Sequence, residues 1–400
     1  MNFLSDRINK MEESATLAMT RMSRDLECKG FNVINLSIGE PDFNTPEFIK
    51  DAAKRAIDQN YTHYPPVPGY QDLKEAICLK LKRDNNLDYK PAQIVVSTGA
   101  KQALANAILS LVNPGDEVIV PAPFWVSYSE LIKLAEGIPV YVSATIENDF
   151  KITAAQLEAA ITPKTKLFMF NSPNNPTGSV YGKVELESLA KVLEKHENVF
   201  IIADEIYEHI NFVGKHESLA QYESIKERIV LINGVSKGYA MTGWRLGYLA
   251  ARTEIATACN KMQGQITSGT CSIAQRAAID AMLMKPEDAV EMQEMVAAFK
   301  IRRDLLLQLL NDIPGIKTNV PDGAFYVFPD VTYYYGKTDG ECTVNNGDDL
   351  CMYLLKNACV ALVPGSAFGD ANCIRFSYAT SEEKLIEAAK RVKAALAELK

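Results

Sequence analysis

The chain has 400 residues, enough for two or three folding units or for one large domain with a smaller lobe. Its 42 basic and 50 acidic residues leave a net charge of −8, and 47% hydrophobic with 23% charged residues is an ordinary globular composition. An acidic surface has no general attraction for phosphate backbones or anionic lipid, so neither nucleic acid nor membrane is expected as a partner, and any anion site must be local.

No apolar run approaches the roughly 18 to 20 residues that span a bilayer. Asp6, Arg7, Lys10, Glu12 and Glu13 suit neither a signal peptide nor an acid-poor transit peptide, so a cytoplasmic protein is expected. Eight cysteines are scattered without a C-x-x-C pair, and the four histidines form no HExxH. Reduced, mostly buried thiols and no metal site are the expectation.

In chain order, the first 44 residues are too short to stand alone and are expected to pack on the smaller lobe. From about residue 45 helix-like and strand-like segments alternate. Thr45 reads as an N-cap with Pro46 at the first helical position, and Phe48, Ala52 and Ala56 keep helical spacing to residue 59. Short apolar runs at 93–96, 117–121, 166–170, 199–203 and 229–232 read as strands, with helical patterns at 101–111, 154–161 and 184–195 between them. Continuous apolar strands alternating with helices predict an α/β fold, a mostly parallel central sheet covered on both faces. Residues 45–288 are read as this large domain.

The last part, 289–400, reads as a smaller α+β domain. A helical stretch at 289–310 leads to a Pro/Gly-punctuated segment, short strands at 324–328 and 373–378, and a last helix capped by Ser381 with Glu382 and Glu383 in its first turn. Tyr333-Tyr334-Tyr335-Gly336 with Asn345-Asn346-Gly347 reads as a surface excursion.

Familiar nucleotide motifs are missing. No G-x-G-x-x-G follows a strand, Gly336-Lys337-Thr338 lacks the upstream glycine of a P-loop because position 331 is Val331, and there is no G-x-S-x-G. Polar clusters instead follow the predicted strands, where open α/β sheets bind ligands. Ser97-Thr98-Gly99-Ala100-Lys101 joins a strand to a helix; it reads equally as a capped turn or as a phosphate seat. Asn171-Ser172-Pro173-Asn174-Asn175-Pro176-Thr177-Gly178 is a proline-stiffened loop whose two adjacent asparagines turn chemistry does not require. Asp204, in Asp204-Glu205-Ile206-Tyr207, caps a helix or pairs with a buried cation. Lys237, within Ser236-Lys237-Gly238-Tyr239-Ala240-Met241-Thr242-Gly243-Trp244-Arg245-Leu246-Gly247, sits among apolar residues that lower a lysine pKa and make its amine nucleophilic. Arg375 is isolated in an apolar strand pattern, facing water or holding a carboxylate.

Together these clusters supply a lysine for an aldehyde, an acid for a pyridinium nitrogen, a phenol and an amide for a phenolate oxygen, and hydroxyl, Arg and helix N–H groups for phosphate. Those are the needs of pyridoxal phosphate.

The same motifs, with Gly39-Glu40-Pro41-Asp42-Phe43, Pro123-Phe124-Trp125-Val126-Ser127-Tyr128 and Ile374-Arg375, closely resemble the fold-type I aminotransferases of classes I and II, and among them the subgroup of aspartate and prephenate aminotransferases. The resemblance implies that Lys237 is the Schiff-base lysine and proton shuttle, that Asp204 pairs with the ring nitrogen, and that Asn175 and Tyr207 bond the phenolate oxygen. It assigns Gly99, Ala100, Ser236 and Arg245 to the phosphate, with Lys101 beside them and Tyr64 reaching across a homodimer interface. Trp125 stacks on the ring in this reading. Arg375, with Asn175, Trp125 and Gly39, holds the substrate α-carboxylate, and Lys101 with Thr16 holds a second carboxylate.

The implied reaction is ping-pong transfer of an amino group between aspartate and 2-oxoglutarate, with prephenate as a possible further acceptor. Alanine and aromatic aminotransferases and β-lyases share the constellation and stay open as alternatives. A non-catalytic regulator needs a DNA-binding extension for which the chain has no spare residues.

Overall fold

The computed structural model describes residues 3–400. Its largest element is a seven-stranded sheet in the order Ile94–Ser97, Gly247–Ala250, Ile229–Gly234, Phe200–Asp204, Thr165–Asn171, Glu117–Ala122, Ile138–Ser143. Every neighbouring pair is parallel except those made by Gly247–Ala250, which runs antiparallel to both its neighbours. The strands read as continuous apolar runs because alternate residues serve two cores. Phe168, Phe170, Ile201 and Leu231 pack with helices Glu47–Asp58, Gln71–Asn85 and Ser272–Leu283 on one face. Leu167, Met169, Ile202 and Val230 pack with helices Ala100–Leu111 and Thr253–Ile266 on the other. Each such fully buried side chain contributes about 1.5–3 kcal/mol of transfer free energy, so the strand ends are held by a core on both sides.

The second body is built on a three-stranded antiparallel sheet, Val363–Pro364, Ile374–Ser377 and Tyr326–Val327, with helices Val290–Asn311, Gly347–Asn357 and Glu382–Ala397. Phe299, Leu310, Phe325, Leu354, Phe376 and Val392 form its core. The N-terminal strand Ile34–Asn35 pairs in parallel with Val360–Ala361, and Met19 of helix Ala15–Cys28 packs on Leu355 and Ala361. No helix among the described residues is long and apolar enough to cross a membrane.

Several local expectations change. Thr45 does not cap a helix: Pro46 is the N-cap of Glu47–Asp58, while the Thr45 hydroxyl donates to the Ala240 carbonyl at 2.8 Å and accepts from Trp244 Nε1 at 3.0 Å. Its side chain ties the chain entry to the lysine loop instead. The strands Ile138–Ser143 and Gly247–Ala250 escape the periodicity reading. The first is a half-exposed edge strand, and the second starts at Gly247, the last residue of the lysine motif. The tyrosine segment is not wholly a surface excursion: Tyr333 is exposed, but Tyr334 is buried, and Asn346 caps helix Gly347–Asn357 by accepting from Asp349 N at 2.9 Å. All eight cysteines are free, yet only Cys259, Cys351 and Cys373 are buried; Cys28 and Cys271 are exposed.

Candidate active site

A cavity of about 410 Å³ opens between the carboxyl ends of the parallel strands, the second body and the N-terminal helix. Asn171 and Asp204 end adjacent strands in register. Asn171 accepts from Asn175 N at 3.0 Å and donates to the Asp204 carbonyl at 2.8 Å, so strand pairing aims both the proline loop and the acid. The two asparagines divide their work: Asn174 Oδ1 accepts from Thr177, closing the turn, and Asn175 Oδ1 accepts from Arg375 Nη1 at 2.9 Å.

Asp204 is buried, and its Oδ2 accepts from the Tyr128 hydroxyl at 2.7 Å while Oδ1 accepts from Ile206 N at 3.2 Å. Burial raises the carboxyl to about 6; the Tyr128 and Ile206 bonds oppose that rise. Tyr207 meets the Tyr326 hydroxyl at 2.9 Å and is raised well above the usual phenol range, chiefly by burial. Lys237 donates to the Gly39 carbonyl and has no ion pair among the described residues. Burial lowers its ammonium to about 8, with Arg375 and Arg245 pushing the same way and Glu40 opposing.

Arg375 is 1% exposed on the middle strand of the small sheet. Its Nη2 donates to the Ser37 carbonyl at 2.6 Å, its plane lies 4.5 Å from the Tyr326 ring and 4.9 Å from Phe368, and its Nε has no partner. No carboxylate pairs with it among the described residues. A buried guanidinium without a counter-ion and with one donor unmet is a site for an anion.

A second anion seat lies at the start of helix Ala100–Leu111, which has no side-chain cap. Gly99 has φ +82, and a Cβ there would lie 2.3 Å from Arg245 Nη2; a Cβ on Gly247 would lie 2.3 Å from Ala100 N. Both glycines let Arg245 and the helix N–H groups converge. Lys101 lies 4.8 Å over the Trp125 ring, and burial followed by Arg245 repulsion lowers its ammonium. Thr16 brings the N-terminal helix to the same cavity, with Thr20 donating to its carbonyl at 2.8 Å.

Lys237, Asp204, Tyr207, Ala100, Lys101, Trp125, Asn175, Ser236, Arg245, Gly39, Arg375 and Thr16 all line this cavity. Gly99 lies behind it, against Arg245. Tyr64 stays outside, 96% exposed. Among the lining residues left unassigned from the sequence, two contact the candidate groups directly: Tyr128, the hydroxyl donor to Asp204, and Tyr326, which joins Tyr207 to Arg375. The only signal for Tyr128 was its place in the segment 123–128; Tyr326 gave none, because an aromatic in a short apolar strand reads as core.

Comparison with known proteins agrees over the whole chain. A sequence profile of aminotransferase class I and II matches residues 32–392. An aspartate/prephenate aminotransferase of Cereibacter sphaeroides is 48% identical over 98% of this chain and 98% of its own length. A bifunctional aspartate aminotransferase and glutamate/aspartate-prephenate aminotransferase of Petunia hybrida is 45% identical over 99% of this chain and 83% of its own. Among solved structures, the aspartate aminotransferase of Rhizobium meliloti superposes with TM-score 0.96 at 42% identity, covering 100% of both chains. That of Thermus thermophilus with maleate gives 0.92 at 39% identity, covering 99% of this chain and 100% of the other. With its profile, its full-length relatives and its fold in agreement, the chain belongs to the class I and II aminotransferase family.

Proposed function

We propose that this chain is a pyridoxal-phosphate-dependent aminotransferase acting on L-aspartate and 2-oxoglutarate, giving oxaloacetate and L-glutamate. Besides Lys237, Arg245 at the phosphate seat and Arg24 on the N-terminal helix, two cavity cations lack carboxylate partners among the described residues and carry the substrate class: Arg375, deeply buried, and the more exposed Lys101. A substrate with two carboxylates satisfies both. The cavity also fits the cofactor's needs: an amine with a lowered pKa at Lys237, a buried acid at Asp204, and the glycine-opened seat of Gly99, Ala100, Ser236 and Arg245.

When bound, pyridoxal phosphate supplies an aldehyde for amine exchange and a protonated ring that accepts charge from the substrate α-carbon. In this reading Lys237 would hold the cofactor through its aldehyde, and its amine, freed when substrate binds, would serve as the base and acid for the α-proton. Its lowered pKa leaves a useful fraction as free amine near neutral pH. Asp204, aimed by Tyr128, would pair with the ring nitrogen and favour its protonated form. Tyr207 and Asn175 orient the ring oxygen, Trp125 covers the ring, and Arg375 with Asn175 and the Gly39 backbone fixes the α-carboxylate. Thr16 and Lys101 hold the distal carboxylate. Exposed Tyr64 joins the phosphate seat of a second copy, so the working unit is a cytoplasmic homodimer. The described part of residues 1–44 would join 289–400 as the smaller unit, with Arg7 and Glu12 bonding Glu136 and Glu130 of the cofactor domain, 45–288.

Prephenate is a second amino acceptor in this reading, because relatives named for it match along the whole chain. The test is a half-reaction panel with purified enzyme: aspartate and glutamate should each convert the cofactor to its pyridoxamine form, prephenate should reverse it, and alanine and phenylalanine should react poorly. No conversion by aspartate, or faster conversion by alanine, would overturn the assignment.

A further inference from the structure

The turn that follows Asp204 at the strand end and carries Tyr207 into the cavity has a second set of side chains. Glu205 and Glu208 follow those two residues, and both are buried outside the cavity lining. Glu205 Oε1 accepts from Ser218 Oγ at 2.6 Å, and its Oε2 lies 2.9 Å from His216 Nε2. Glu208 Oε2 accepts from Asn85 Nδ2 at 2.8 Å; its Oε1 accepts from Lys80 Nζ and lies 3.2 Å from His209 Nε2. Lys80, fully buried near the end of helix Gln71–Asn85, also donates to Asn85 Oδ1 at 2.9 Å.

Ligand atoms of Glu205, Glu208 and His216 lie within 4.8 Å of one another, a spacing that resembles a divalent-metal triad. The ammonium of Lys80 already bonds Glu208, so the cluster has its own fixed cation and repels a second. Asp84 lies 3.9 Å from Lys80 and is itself paired with Arg83, so charge balances when His216 is protonated: three carboxylates face three cations. Burial opposes the His216 proton, but the Glu205 carboxylate outweighs it and raises His216 above its ordinary value. Burial likewise opposes ionisation of Glu208, and Lys80 with the neighbouring histidines outweighs it.

Buried ion pairs contribute little net stability compared with apolar packing, so their use here calls for a positional role. Position is what the turn needs. Residues 204 and 207 face the cavity while 205 and 208 face the network, and the Glu205 N–H bonds the Ile232 carbonyl at 2.9 Å on the strand leading to Lys237. A shift of the turn therefore reaches Tyr207 directly and Asp204 through the peptide bond it shares with Glu205 at the strand end.

We propose that the pairs Glu205–His216 and Glu208–Lys80 are a positioning device that clamps this turn from behind, and that their mutual neutrality sets the aim of Asp204 and so the hold on the cofactor. The inference rests on the cofactor-facing reading of Asp204 and Tyr207. Cofactor affinity, measured by spectral titration of the apoenzyme with pyridoxal phosphate, tests it in Glu205→Gln, His216→Gln and the double variant. Each single change leaves one buried charge unbalanced and should weaken affinity about tenfold, and the double should return to within about threefold of the parent. The pH at which the bound chromophore changes its band should move by about half a unit in the singles and return in the double.

Ser218→Ala, which removes one uncharged donor to Glu205, should weaken affinity by about threefold even if a charge variant fails to fold. Parental affinity and band pH in folded singles or in Ser218→Ala, or a double whose loss is the sum of the singles, would overturn the proposal. Failure of the parent to bind the cofactor would instead overturn the reading of the site itself.

Discussion

The two bodies that meet at the cavity contribute different kinds of charge. The seven-stranded sheet offers Asp204 and Lys237 from the segments that end its strands, and their environments move them far from ordinary values, the acid up to about 6 and the amine down to about 8. The small antiparallel sheet offers Arg375 from within a strand, fixed by Asn175, Ser37, Tyr326 and Phe368. Burial lowers Arg375 too, but a guanidinium stays charged throughout the working range. On the proposed roles, the groups that exchange protons sit where burial tunes them, and the group that holds an anion sits where geometry is stiffest.

Breaking the proton-exchanging side should have the largest effect. Lys237→Ala is expected to lower single-turnover rates about 10⁴-fold on every amino acid, as loss of the positioned base and nucleophile together. A loss below tenfold would remove Lys237 from the chemistry. Asp204→Ala should lower both half-reactions about 10²- to 10³-fold while leaving Lys237 able to bond the cofactor aldehyde, which the absorption spectrum reports. Near-normal turnover would contradict its role.

The anion-holding side should respond differently. Arg375→Gln is expected to lower kcat/KM about a hundredfold for aspartate and alanine alike, because both carry the α-carboxylate. Lys101→Ala should raise KM for aspartate about tenfold and leave alanine within about twofold. Equal effects on the two substrates would dissolve the distinction between the two cation sites.

A last effect is on stability. Burial lifts Asp204 from 3.8 to about 6, so between those values the folded apoenzyme holds a proton that the unfolded chain has released. Stability should therefore fall as pH rises through that window, by roughly 3 kcal/mol at most. Denaturant unfolding of the apoenzyme at pH 4 to 7 should show that slope flattened in Asp204→Asn. An unchanged slope would mean that the proton sits elsewhere.

The sequence by itself determined the central strands, because Phe168, Ile201 and Leu231 and their alternates are apolar on both faces and no exposed strand tolerates that. It also determined which residues follow those strands, since Asp204 and the 171–178 loop are punctuated by turn residues at strand ends. The edge strand Ile138–Ser143 stayed illegible because one side meets solvent and its pattern is mixed. Thr45 misled for a related reason: a hydroxyl before a proline matches a local cap, but a distant carbonyl at Ala240 competed for it and won.

Only the tertiary structure decided which distant residues touch. Nothing local in the chain links Tyr128 to Asp204, 76 positions apart, or Arg375 to Asn175, 200 apart. The same is true of Lys80 and Glu208, whose residue types alone suggest solvated charges. Sequence patterns report what each segment buries and how it turns; the partner of a buried charge depends on how two segments pack. That packing gave a chain of −8 net charge a cavity in which Arg375, Lys101, Arg245 and Lys237 stand without ion-pair partners among the described residues.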